Sequence, residues 1–416
     1  MLNKIFRSVW QRRIFLISVV LGVLFVFWRQ PNSAFYPLNE RCQNYDDFEK
    51  PPQLSECASI ERLDNQTSLA FVEFDDQGAY FDQRQSFAAM RLVRDALLAP
   101  SSAVELFVFV HGWQHNADPR DEHVKQFKSF LLSRANGCGT SPDCKSKRTI
   151  GIFVGWPGMT LRPPFHALTF WSRKEAAHRV AVGAVQEFFA TLQQLKKDYQ
   201  RLMIQDTNKR VAPLRNAVEP NNFRTYVIGH SFGGLIAYQA NSQSLALSYG
   251  DAVLDQGSAR VTRLGDLLVL INPAIEALRF SAINSLSSEY PPEDFYSPAV
   301  VVVGSRSDLA TKFLFPLGVA IATIATNQIR AEQRMDALTT IGNADSYLTH
   351  NAYITPNGKV EICLRSNSKA PLWFIAANPN LIDGHGDLNA PHLLKMFAAI
   401  EERDGERTRN CAKGEQ

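Results

Sequence analysis

The sequence has no cysteine pairs at zinc-ligand spacing, no aromatic stripe interleaved with basic residues, and no internal repeat. These absences remove the usual signatures of nucleic-acid binding, metal binding and solenoid folds, and they lead us to expect neither metal nor cofactor. The only dense basic run, Lys145-Ser-Lys-Arg148, reads as a solvated loop. A net charge of +3 over 416 residues argues neither for nor against a polyanionic partner. With 45% hydrophobic and 20% charged residues, the chain is that of an ordinary globular protein with a substantial core, in one large or two modest domains.

Acidic residues are missing from the N-terminus, where none precedes Glu40. Lys4, Arg7, Arg12 and Arg13 lead instead into a wholly uncharged apolar run, Ile14 to Trp28. As a helix those 15 residues would span about 22 Å, less than the roughly 30 Å of a bilayer's hydrocarbon core. That length suits the apolar region of a signal peptide. The cleavage site is a poor match, however, since Asn32-Ser-Ala34 lacks the small-x-small pattern. The run ends in bulky Phe25, Phe27 and Trp28, as an interfacial anchor would. Signal anchor and cleaved signal peptide both put residues 1–13 in the cytoplasm and the rest outside it, membrane-held in the first case and secreted in the second. All six cysteines (Cys42, Cys57, Cys138, Cys144, Cys363, Cys411) lie beyond the run, and an oxidising compartment is the simpler inference. Sequence proximity pairs Cys42 with Cys57 and Cys138 with Cys144, leaving Cys363 for Cys411. The sequon Asn65-Gln-Thr67 is a glycan acceptor only in a eukaryotic host.

Residues 29–65, rich in proline and poor in apolar runs, read as a tether. After it, apolar β-prone runs alternate with helical ones up to about residue 405, followed by a tail, 406–416. The predicted strands are Leu69–Asp75, Glu105–Val110, Thr149–Val154, Phe223–Ile228, Leu267–Ile271 and Ala299–Val303. The predicted helices are Arg84–Leu98, Glu122–Ser133, Arg173–Asp198, Leu235–Leu247, one from Ala274, and Pro391–Glu402. Continuous apolar strands alternating with helices indicate a mainly parallel, doubly wound α/β sheet. Two segments interrupt the pattern. Trp156–Trp171, with three prolines, reads as an irregular wall near the site. Phe313–Thr326 is apolar but short and broken, so it is either a buried helix or a mobile, acyl-binding one.

Gly229-His-Ser-Phe-Gly233 joins a β-prone run to a helical one. A strand, a sharp turn and a helix lift a serine hydroxyl clear of a sheet, and small flanking residues are needed to tolerate the turn. By composition alone a Gly-x-Ser-x-Gly turns up in roughly one of seven chains this long, so the rest of the chain must decide. Val110-His-Gly-Trp113 follows an earlier strand, Asp308 lies in the loop after Ala299–Val303, and His385 sits in Asp383-Gly-His-Gly-Asp387 before the last helix.

With these motifs in this order, residues 68–405 resemble the α/β-hydrolase superfamily, on its esterase and lipase side, with a His-Gly-Trp motif before the nucleophile. The resemblance implies a Ser231–Asp308–His385 triad, with Trp113 and Phe232 donating backbone N–H groups to the oxyanion. Losing one such donor typically costs about 3 kcal/mol of transition-state stabilisation. Trp156 and His230 are expected to contact substrate. Glu276 is the weaker candidate for the acid, and His350 and His392 for the base. His111 and His115 read as structural. The implied activity is hydrolysis of small-molecule or lipid carboxylic esters through an acyl-enzyme. Amide, thioester or polyester cleavage and a non-catalytic binding protein on the same fold are the alternatives, and the oligomeric state stays open.

Overall fold

The computed structural model describes residues 10–22, 35–36, 59–99, 103–137, 147–161, 169–209, 223–254, 266–288, 298–315, 330–365, 372–402 and 411. Its strands are β1 (Ile60–Arg62), β2 (Thr67–Glu73), β3 (Ala103–Val110), β4 (Lys147–Gly155), β5 (Phe223–His230), β6 (Leu267–Ile271), β7 (Val300–Ser305), β8 (His350–Ile354), β9 (Val360–Leu364) and β10 (Leu372–Ala377). They form one sheet in the order β1-β2-β4-β3-β5-β6-β7-β10-β8-β9. Only β1 with β2 and β8 with β9, at the two margins, pair antiparallel. Every other pairing is parallel, so the C-terminal ends of the central strands share one edge.

The strands are apolar on both faces because helices cover both. Along β3, Leu106, Val108 and Val110 belong to one core cluster, and Phe107 and Phe109 to the other. The first cluster packs under α2 (Gln83–Leu98), α4 (Phe170–Val182), α5 (Ala184–Lys209), α6 (Phe232–Leu254) and α7 (Ser281–Ser288). The second packs under α3 (Glu122–Asn136) and the C-terminal helix, Ala390–Glu402. This is a mostly parallel α/β sheet flanked by helices.

Local departures from the sequence reading have local causes. The single helix expected over Arg173–Asp198 is two, broken at Gly183 where the chain meets the turn at Gly78: Ala184 N–H donates to the Gly78 carbonyl at 2.7 Å. The helix expected from Ala274 starts late, as a 3-10 turn over Ala277–Phe280 that leads into α7. The tether is not wholly loose, since β1 falls within it and Phe35 and Tyr36 dock on the second core cluster. Cys363 and Cys411 form a disulfide, whereas Cys42, Cys57, Cys138 and Cys144 lie outside the described residues. So does most of Phe313–Thr326, of which Phe315 is buried. Residues 10–22 form an exposed helix, α1, that starts earlier than the apolar run, and no helix of the described residues is long and apolar enough to cross a membrane.

Candidate active site

Ser231 is the single residue between β5 and α6, and its φ of +54° lies in the left-handed region. A side-chain-bearing residue reaches that conformation only where its surroundings fix it. Here Ser231 N–H donates to the Ile271 carbonyl at 3.1 Å, and the Ser231 carbonyl accepts from Leu235 and Ala274 N–H groups. Glycine is required at 233, because a Cβ there would lie 2.0 Å from the Val110 carbonyl oxygen. The loop after β3 comes as close from the other side: a Cβ on Gly112 would lie 2.9 Å from Ser231 Cβ.

The imidazole of His385 bridges the other two groups. Its Nε2 lies 2.8 Å from Ser231 Oγ and its Nδ1 2.7 Å from Asp308 Oδ2. A carboxylate only accepts, so Nδ1 carries the proton and Nε2 is left to accept from the serine hydroxyl. Asp308 is buried, and its oxygens also accept from Ala310 N–H, Thr311 N–H and the Thr311 hydroxyl. Burial alone would raise the carboxyl, but hydrogen bonds and charge from His385, with those from Thr311, outweigh it and hold Asp308 below its ordinary value.

His385 sits on a loop, and three side chains at or near neighbouring strand ends hold its backbone. Asn272 Nδ2 donates to the carbonyls of Gly384 (2.9 Å) and His385 (3.1 Å), while its Oδ1 accepts Ser305 N–H at 2.8 Å. His230 Nε2 donates to the same His385 carbonyl at 2.7 Å. Gly384 N–H donates to Ser307 Oγ at 2.9 Å. Burial, with His385 close by, lowers the His230 pKa to about 3, so the ring is neutral with its proton on Nε2.

Two expected substrate contacts are placed elsewhere. His230 is buried beneath the base loop and touches its backbone. Trp156 is buried behind the loop after β3, with its indole N–H on the His111 carbonyl (2.8 Å) and its backbone N–H on His111 Nε2 (3.0 Å). Both shape the site from behind. Trp113 is half-buried and meets Phe170 edge-to-face at 5.1 Å, and Phe170 lies 5.0 Å from Phe232. Phe232 is the first residue of α6, so its N–H has no acceptor within the helix.

The weaker candidates are engaged away from Ser231. Glu276 is held to about 2: burial would raise it, but the ion pairs with Lys174 and Arg279 prevail. His350, the first residue of β8 and lowered to about 4 by burial, bonds the Thr349 hydroxyl, and His392 sits in the first turn of the C-terminal helix. His111 and His115 bond within their own loop, to the Gly112 carbonyl and to Asp121. Among the described residues no three His, Cys, Asp or Glu side chains gather as a metal ion requires.

Asn272, Ser307, Thr311 and Phe170 escaped the sequence reading. Of these only Asn272 carries a sequence signal, an amide directly after the apolar run Leu267–Ile271. No family model matches this chain, and neither does any curated protein or solved structure.

Proposed function

We propose that the chain is a serine hydrolase of the α/β-hydrolase type that cleaves carboxylic esters. One observation carries the reading: a serine, an imidazole and a buried carboxylate in unbroken hydrogen-bond contact at the C-terminal edge of a parallel sheet. Ser231 Oγ attacks the ester carbonyl carbon as its proton passes to His385 Nε2. The carbonyl electrons collect on oxygen, and the backbone N–H groups of Trp113 and Phe232 bind that oxyanion. The carbon–alkoxy bond breaks as His385 returns the proton to the departing alcohol. Water, deprotonated by His385, then attacks the acyl-enzyme, and the carboxylic acid leaves as Ser231 regains its proton. Asp308 stays ionised throughout and stabilises the imidazolium.

Residues 14–28 hold this domain at a membrane on the non-cytoplasmic side, an assignment supported by the basic residues before them and the cysteines after them. The half-buried rings Trp113 and Phe170, which pack on Phe232 next to Ser231 in the chain, favour an acyl chain over acetate, since each buried methylene contributes about 0.8 kcal/mol. The test is kcat/KM for p-nitrophenyl esters from C2 to C12 with wild type and Ser231→Ala. Turnover should vanish in the variant, and kcat/KM should rise with chain length before it falls. A monotonic decline from acetate onward leaves a short-chain esterase, and undiminished turnover in the variant removes the hydrolase reading.

A further inference from the structure

Two tether residues are built into the folded domain. Glu73, the last residue of β2, accepts Phe35 N–H through Oε2 at 2.8 Å and Tyr36 N–H through Oε1 at 2.9 Å. Gln85 Nε2 donates to the Tyr36 carbonyl (2.7 Å) and to Glu73 Oε1 (3.0 Å), while Gln85 Oε1 accepts Glu73 N–H (2.8 Å). The Tyr36 ring stacks on Phe71 with centroids 3.7 Å apart, and its hydroxyl donates to Glu61 at 3.3 Å. Glu73, Gln85 and Tyr36 are all buried. Opening the clasp would take two of three donors from the buried Glu73 carboxylate and the Tyr36 carbonyl from Gln85, so the folded domain favours the closed clasp.

The clasp lies on the catalytic edge. Glu73 is in register with Gly155, the last residue of β4, and β4, β3 and β5 follow in order across the sheet. Three strand spacings, roughly 14 Å, separate the clasp from the Ser231 strand. From Trp28, where the apolar run ends, to Phe35 the chain takes seven steps, which reach at most about 25 Å. The nine residues of β4 are already roughly 30 Å long. A chain that short cannot run from the clasp down the sheet to a bilayer lying against the opposite edge. The clasped edge also carries large apolar side chains in contact with water, Leu309 next to Asp308 (65% exposed) and Trp171 next to Phe170 (37% exposed).

We propose that the clasp turns the catalytic edge toward the bilayer holding residues 14–28, so that Ser231 draws lipid esters from the membrane surface. This rests on the hydrolase and anchor readings above, and the test separates it from both. The full chain is reconstituted in phosphatidylcholine vesicles, as wild type and with a Gly-Ser linker of about 40 residues, root-mean-square length about 35 Å, inserted after Asn32. Photoactivatable lipid should label the loops near Trp113 and His385 in the wild type and spare the far edge near Ala103 and Phe223, and the linker should abolish that preference. Hydrolysis of soluble p-nitrophenyl butyrate should be the same for both proteins, while hydrolysis of a vesicle-embedded fluorogenic lipid ester should fall at least fivefold with the linker. Equal labelling of both edges in the wild type, or labelling of the far edge, overturns the proposal. Because labelling needs no turnover, a protein inactive on both esters but labelled at the catalytic edge loses the hydrolase reading while the orientation stands. A chain that does not partition with the vesicles removes the anchor and the proposal together.

Discussion

At the scale of single residues, the site depends on where the His385 backbone is held. Asn272 supplies both donors of one amide to two adjacent carbonyls, and its own φ of +43° is a conformation asparagine tolerates better than most residues. Alanine at 272 would leave the Gly384 carbonyl and Ser305 N–H without these partners and strain the backbone, while the His385 carbonyl kept only His230. We expect Asn272→Ala to lower kcat on a soluble ester by roughly ten- to a hundredfold, the range set by misplacing a catalytic group by about an ångström. KM should change little, because this amide is buried and bonded to backbone groups. A raised KM with unchanged kcat would show that Asn272 shapes the binding pocket and does not position the base. The sequence nominates Ser231 by its strand–turn–helix setting, and the resemblance adds Asp308 and His385. It could not reveal the clamp, because an amide that bonds backbone has no required spacing to its targets.

At the scale of elements, the apolar runs were legible wherever burial on both faces makes a strand continuously hydrophobic. Leu267–Ile271 matches β6, and Glu105–Val110 and Thr149–Val154 lie within β3 and β4. β10, whose run Leu-Trp-Phe-Ile-Ala-Ala leads to the His385 loop, carries the same signal but is absent from the strands predicted, as is β9 at the sheet margin. The margins were harder. β1 is three residues long and pairs antiparallel outside the parallel core, so neither length nor period marks it. The break between α4 and α5 was hidden because an amphipathic pattern continues through Gly183, and only the contact with Gly78, more than 100 positions away, ends the first helix. Docking of Phe35 and Tyr36 onto Glu73 and Gln85 is likewise a long-range event, with no local signature in a proline-rich tether.

At the scale of the whole molecule, burial of neutral histidines sets the response to acid. Burial lowers His230 to about 3 and His111 and His350 to about 4, from an ordinary 6.5. Below 6.5 the unfolded chain binds protons that the folded chain refuses, so stability is full above 6.5 and is lost as pH falls toward 4. With each pKa unit worth about 1.4 kcal/mol, the three together amount to several kcal/mol. Glu105, which burial would raise but Arg134 and Lys147 hold low, adds to the loss only below the ordinary carboxylate range. Glu73, raised by burial, works in the opposite direction. The urea midpoint should therefore fall clearly between pH 7.5 and pH 5, and an unchanged midpoint would show that these rings titrate in the folded state.

The proposal that the sheet edge carries out acyl transfer has a direct measurement. A fluorophosphonate phosphorylates a serine only when a base removes its proton and nearby amides receive the developing oxyanion, so intact-mass analysis reads the constellation without knowledge of the natural ester. The account predicts one adduct per chain, mapped to Ser231, none in Ser231→Ala, and labelling slowed at least a hundredfold in His385→Ala, the upper part of what a general base contributes being about 10⁴. An adduct that forms equally fast in Ser231→Ala, or no adduct in folded wild-type protein, would contradict it.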